Sequence, residues 1–149
     1  GVGRSQGRFD NGQGELSDAA AAIDWMQTHN ANASDCWIGG FSFGAWISMQ
    51  LMMRRPEING FISIAPPASL HDFSFLAPCP SSGMIIHGST DDIIPIESVD
   101  KLAQKVSAQK NIKIDYRVID GGDHFFAEHI DVLSEHVEDY LDKALKTAA

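Results

Sequence analysis

Cysteine, basic residues and long apolar runs are all scarce in this sequence, and each scarcity removes a class of explanation. There are 2 cysteines: Cys36 in a short apolar stretch and Cys79 between Pro78 and Pro80. They give neither a disulfide framework nor a metal cluster, so reduced thiols are the default. Against 20 Asp and Glu stand only 11 Lys and Arg, a formal net charge of −9. That balance argues against a phosphate-binding surface, and nucleic acid is not an expected partner. No apolar run approaches the ~20 residues that span a bilayer, and no charged start followed by an apolar stretch marks a signal peptide. A membrane is therefore not an expected partner, and a cytoplasmic location is expected.

What is present suits one globular domain over residues 1–149, with 44% hydrophobic residues to build a core. Residues 1–14 read as loop, with glycines among polar residues and no hydrophobic period. A helix is predicted from about Glu15 to His29, and a short strand from Cys36. A helix from Phe43 to Arg55 follows, stopped by Pro56, which disfavours helix in the residue before it. Arg54-Arg55 would then meet the negative end of the helix dipole. Phe61–Ala65 and Met84–Gly88 read as buried strands, separated by a Pro- and Ser-rich loop. Ile96–Gln109 reads as a helix, Ile112–Ile119 as a strand, and a last helix is expected from near Phe125 to about Lys146. Strands alternating with helices predict a three-layer, doubly wound, mostly parallel α/β sheet with its site at the carboxyl ends of the strands.

The chain is organised around Gly40-Phe41-Ser42-Phe43-Gly44. An apolar strand precedes this G-x-S-x-G and a helix follows it, which is the context of a nucleophile elbow. Ser42 is the candidate nucleophile, and the backbone N–H of Phe43 is the candidate oxyanion donor. Gly40 and Gly44 are expected where side chains would collide as the helix folds back on the strand. Asp91 and His124 follow later strands, so all three side chains fall on one sheet edge. The order Ser42, Asp91, His124 is that of an α/β hydrolase. In these roles Ser42 attacks an acyl carbon, His124 moves its proton, and Asp91 orients the imidazole. Asp92 reads as a solvated or capping carboxylate, and Asp123, adjacent to His124, as a turn residue. His124, Glu128 and His129 lie close in sequence without H-E-x-x-H or Cys/His spacing, so no metal is expected. The methionines Met49, Met52 and Met53 read as core filler. Of the aromatic residues beside these blocks, Phe41, Phe73, Phe75 and Phe125 are candidates for an acyl pocket.

Those blocks, with His87-Gly88-Ser89-Thr90-Asp91-Asp92-Ile93-Ile94-Pro95 and Gly121-Gly122-Asp123-His124-Phe125-Phe126, resemble the signature blocks of the α/β-hydrolase superfamily. Ser63–Pro67 and Phe73–Pro80 are similar to a small bacterial subgroup related to dienelactone-hydrolase-like esterases. The resemblance implies a serine hydrolase acting on a small acyl substrate, an ester or thioester with a peptide left open, and needing no cofactor. It also implies that Asp91 supplies the acid. Dienelactone hydrolases proper carry cysteine at the elbow where this chain has serine, so their particular substrate is not implied. The family places further strands before the point where this chain begins. An N-terminally incomplete fold is therefore expected, with an apolar sheet edge that invites a homo-oligomer or another pairing partner. A catalytically inactive binding module of the same fold is the alternative.

Overall fold

The computed structural model describes residues 2–148. Gly1, the first residue of the expected loop, and Ala149, the last of the expected domain, lie outside the described residues. The elements in chain order are α1 (Gln13–His29), β1 (Trp37–Phe41), α2 (Phe43–Met52), β2 (Gly60–Ile64), β3 (Gly83–Gly88), α3 (Ile96–Ser107), β4 (Ile114–Ile119) and α4 (Ile130–Ala148). The four strands form one sheet in the order β1-β2-β3-β4, every pair parallel. The architecture is the three-layer α/β arrangement expected from alternating strands and helices.

Apolar residues fill both faces of the sheet. On one face, Met49, Leu51 and Met52 of α2 and Val99, Leu102, Ala103 and Val106 of α3 pack with Phe61 and Ile85. Leu16, Ala19, Ala20 and Ile23 of α1 cover that cluster from outside. On the other face, Leu133, Val137, Tyr140 and Leu141 of α4 pack against Ile62, Met84, Ile86 and Ile119. The spacing of four buried positions in α3 (i, i+3, i+4, i+7) is the single stripe of a surface helix. By contrast α2 is buried at six of its ten positions, wedged between α1 and the sheet.

Burial is uneven across the sheet. All six residues of β3 are buried, whereas β1 alternates between half-buried and exposed. β1 is an edge strand, and among the described residues nothing pairs with its outer side.

Several boundaries differ from the expectations for physical reasons. α2 stops at Met52 rather than Arg55, because Arg54 N–H and Arg55 N–H turn back to the carbonyls of Leu51 and Met52. The Arg55 guanidinium then bonds Asp24 at 2.6 Å and Glu57 at 2.7 Å instead of facing the end of α2. The last helix starts at Ile130, not Phe125: Phe126 has φ of 53°, and the Asp123 side chain accepts Ala127 N–H, which closes separate turns first. Cys36 lies just outside β1 and is half-buried, and both cysteines are free. Met49 and Met52 are core residues, with Met53 packed partly against them.

Candidate active site

Ser42 occupies the turn between β1 and α2, with φ of 50° and ψ of −119°. A non-glycine residue held there is strained by about 1–3 kcal/mol, which the surrounding fold has to over-determine. Two constraints do so. Ser42 N–H donates to Ile64 O on the neighbouring strand at 2.8 Å, and its carbonyl accepts Ala45 N–H at 2.9 Å in the first turn of α2. As N-cap it makes no side-chain cap bond, which leaves its hydroxyl for another partner. Phe43 is the first residue of α2, where a backbone N–H has no intrahelical acceptor. Gly40 is required by contact: a Cβ there would lie 2.2 Å from Gly44 O. Gly44 is not, since a Cβ on it would meet nothing within 4 Å, so the collision expected at both glycines exists only at the first.

Across the sheet, the loops after β3 and β4 bring up the other two side chains. Ser42 Oγ lies 2.9 Å from His124 Nε2, and His124 Nδ1 lies 2.7 Å from Asp91 Oδ2. A carboxylate can only accept, so Nδ1 carries the ring proton and the bare Nε2 faces the serine hydroxyl. The Asp91 side chain has no exposed surface, and that of His124 is 4% exposed. The other Asp91 oxygen accepts the N–H groups of Ile93 and Ile94 at 2.9 and 2.7 Å. Asp92 is exposed and caps no helix, α3 being preceded by Pro95, and Asp123 is the turn acceptor described above.

Residues that the sequence reading passed over hold these two loops to each other. Ser89 N–H donates to Ile119 O at 2.9 Å, and Thr90 N–H to Gly122 O at 3.0 Å. Ser89 Oγ accepts Gly121 N–H at 2.8 Å, and the Thr90 hydroxyl reaches Gly121 O at 3.0 Å. The loops approach so closely that a Cβ on Gly88 would lie 2.1 Å from Gly122 O. The signal was the pair of glycine-bearing blocks themselves, but no local pattern says that one packs on the other.

Of the candidate pocket aromatics, Phe41 and Phe125 flank the histidine, their ring centroids 5.2 and 5.1 Å from that of His124, and both are exposed. Phe73 and Phe75 lie away from the histidine, one in the core and the other half-buried against it. Phe73 is buried in the cluster under α2 and α3, and Phe75 stacks on it at 5.9 Å. On the elbow side, the Phe43 ring is met by Phe9 at 5.5 Å, Trp46 at 5.9 Å and His71 at 6.0 Å. Neither Phe9 nor His71 was singled out, because the first lies in the glycine-rich opening and the second in the long loop. Two cavities, of about 650 and 720 Å³, are lined by α1 with its neighbours and not by Ser42, Asp91 or His124. Among the described residues no three His, Cys, Asp or Glu side chains form a metal-holding group, and no helix is long and apolar enough to cross a membrane.

Comparison with known proteins gives three kinds of likeness. The profile of the dienelactone hydrolase family matches residues 5–148. An uncharacterized protein of Rickettsia prowazekii is 54% identical over 145 residues, covering 95% of this chain and 61% of the relative, so the chain spans less than two thirds of that relative's length. Among solved structures, a protein of unknown function from Agrobacterium tumefaciens, provisionally grouped with the alpha/beta hydrolases, superposes with a TM-score of 0.95 at 55% identity, covering 98% of this chain and 67% of that one. An alpha-beta serine hydrolase homologue from Coxiella burnetii superposes with a TM-score of 0.81 at 33% identity, covering 95% of this chain and 65% of that one.

Proposed function

The chain belongs to the dienelactone hydrolase family, and on that premise we propose that it is a serine hydrolase cleaving carboxylic esters or thioesters through an acyl-enzyme. The observation that carries the reading is the continuous hydrogen-bonded path from Ser42 Oγ through the His124 ring to Asp91. Ser42 Oγ attacks the acyl carbon while its proton passes to His124 Nε2, and Asp91 stabilises the imidazolium that results. The Phe43 N–H, at the positive end of α2, donates to the oxyanion. His124 then protonates the leaving group, and water repeats the sequence on the acyl-enzyme. Phe41 and Phe125 supply exposed apolar surface for one side of the substrate. The connection between β2 and β3 contains no helix or strand, which supports an open site and acyl groups that are small or presented on a surface.

The test is hydrolysis of p-nitrophenyl and acyl-thioester substrates of increasing chain length by this chain, beside Ser42→Ala. Activity should fall at least about a thousandfold in the variant, and a fluorophosphonate should label the parent chain alone. Equal rates in both proteins would refute the serine mechanism.

A second reading, a binding module of hydrolase fold, is favoured by one observation: the outer edge of β1, with which nothing pairs among the described residues. Such an edge offers free backbone groups to another strand, from a second copy or another protein. An inert Ser42 together with concentration-dependent association would favour it.

A further inference from the structure

His87 lies in β3, its side chain fully buried, and takes no part in the proton path above. Its ring is nevertheless one of the few polar groups inside the sheet. Nε2 lies 2.9 Å from Ile94 O, and a carbonyl only accepts, so Nε2 carries the proton. Nδ1 is then a bare acceptor, buried and, among the described residues, without a partner. Leaving such an atom unsatisfied is costly, and an apolar residue in the same strand would avoid that cost. The contacts of the ring point to a role besides packing.

What it touches suggests the purpose. Ile94 is held from both sides: its N–H donates to Asp91 Oδ1, and its carbonyl accepts from His87. The same His87 N–H lies 3.6 Å from Asp91 Oδ2, the oxygen that bonds His124. From the rigid centre of the sheet, the imidazole thus fixes the turn that carries Asp91 and presents a neutral N–H dipole to its carboxylate. Burial pushes the His87 pKa down, with the bond to Ile94 and the charge of Asp91 opposing, and His124 and Asp100 are the other titratable groups that act on it.

We propose that His87 is a positioning residue for the hydrolytic reaction: it acts through Ile94 and Asp91 to keep Asp91 Oδ2 on His124 Nδ1. The proposal rests on the serine-hydrolase reading for its effect on rate, and on geometry alone for its effect on His124. A neutral donor suits the position. A cation there would compete with His124 for the carboxylate, whereas a neutral ring leaves the full charge of Asp91 to the imidazolium.

The experiment compares the whole chain with His87→Gln, whose amide reaches toward Ile94 O as Nε2 does, and with His87→Leu and His87→Asn, which cannot reach it. The hydrogen-bonded Nδ1 proton of His124 is observed by NMR, and kcat and KM are measured per fluorophosphonate-reactive site. In the Leu and Asn variants a less well-placed carboxylate should weaken the bond from His124 Nδ1 to Asp91, seen as an upfield shift of that proton. kcat should fall roughly tenfold to a hundredfold with KM little changed, and Gln should restore both readouts. If His87→Leu fails to fold, His87→Asn is read in its place. A His124 Nδ1 proton resonance unchanged in either folded variant overturns the proposal, as does a Gln variant that behaves like Leu or failure of all three to fold. Absence of hydrolysis by the parent chain would count against the proposed function and leave the proton resonance as the test of His87.

Discussion

The two halves of the candidate site rest on unequal supports. Asp91 and His124 stand on loops after β3 and β4, joined to each other by Ser89 and Thr90 and backed by a strand buried at every position. Ser42 stands at the end of an edge strand, half-exposed along its length, and is held by one bond to β2 and by the first turn of α2. Two loops that share hydrogen bonds and leave no room for a methyl group between them behave as one rigid piece. The elbow takes its precision from backbone conformation, because a strained φ and ψ has no near alternative on the same turn. Asp91 and His124 are positioned by contact with each other, and Ser42 by the geometry of a single connection.

One substitution made in each half would break this contrast or establish it. Gly88→Ala forces a Cβ to within 2.1 Å of Gly122 O, so the acid and histidine loops must separate. Activity should drop about a hundredfold or more, with about 1–3 kcal/mol of stability lost by overpacking. Gly39→Ala in β1, whose Cβ would meet only Ile62 O at 3.8 Å, should leave both close to the parent. Rates and chemical denaturation report both; similar losses at the two positions would mean the halves are equally tight.

Amide exchange sharpens the comparison without mutation. Amides of β1 should exchange at least about tenfold faster than those of β3, since an edge with few buried contacts opens locally at lower free energy. Mass spectrometry of the intact chain and its peptides reads this directly.

The smallest effect comes from His87. Its folded pKa is depressed by burial, so below the unfolded value of about 6.5 the unfolded chain binds a proton that the folded chain does not. Stability contributed by the neutral ring is therefore present above about pH 6.5 and declines as pH falls through it, by at most about 1.4 kcal/mol per pH unit, until the folded group also protonates. In His87→Gln the decline over that window should be shallower. Denaturation curves between pH 7 and the acid limit would check it, and identical slopes would show that burial does not lower the His87 pKa in the fold.

How much was legible in the sequence follows from the range of the interactions involved. The elbow was readable because strand, turn and helix are consecutive, and the order of Ser42, Asp91 and His124 follows from strand ends in a parallel sheet. The alternation of elements was readable because β3 carries a short continuous apolar run and α3 a helical period in their own residues. The start of α4 was not, because Phe126 adopts a left-handed conformation that no local pattern favours. Phe73 looked like a pocket residue from its place beside the motif blocks, yet the long loop folds it under α2 and α3. Phe9 and His71 reach the Phe43 ring across the chain, and such contacts leave no mark on their immediate neighbours in sequence. The edge position of β1 is a property of the sheet: it was expected from the family resemblance, and the strand's own residues mark it only by two glycines that give it little to bury.

The hydrogen bond from Ser42 to His124 joins residues 82 apart in the chain, while the bond from Asp91 to His124 spans 33. Closing the longer stretch costs about 0.8 kcal/mol more in chain entropy, and contacts of high sequence separation form late when a chain folds. Asp91 and His124 can thus meet before Ser42 joins them. On the proposed serine mechanism, reactivity of Ser42 toward a fluorophosphonate would serve as a clock for the final stage of folding. In a refolding time course it should trail the recovery of secondary structure, and simultaneous recovery would mean that the edge strand docks no later than the centre of the sheet.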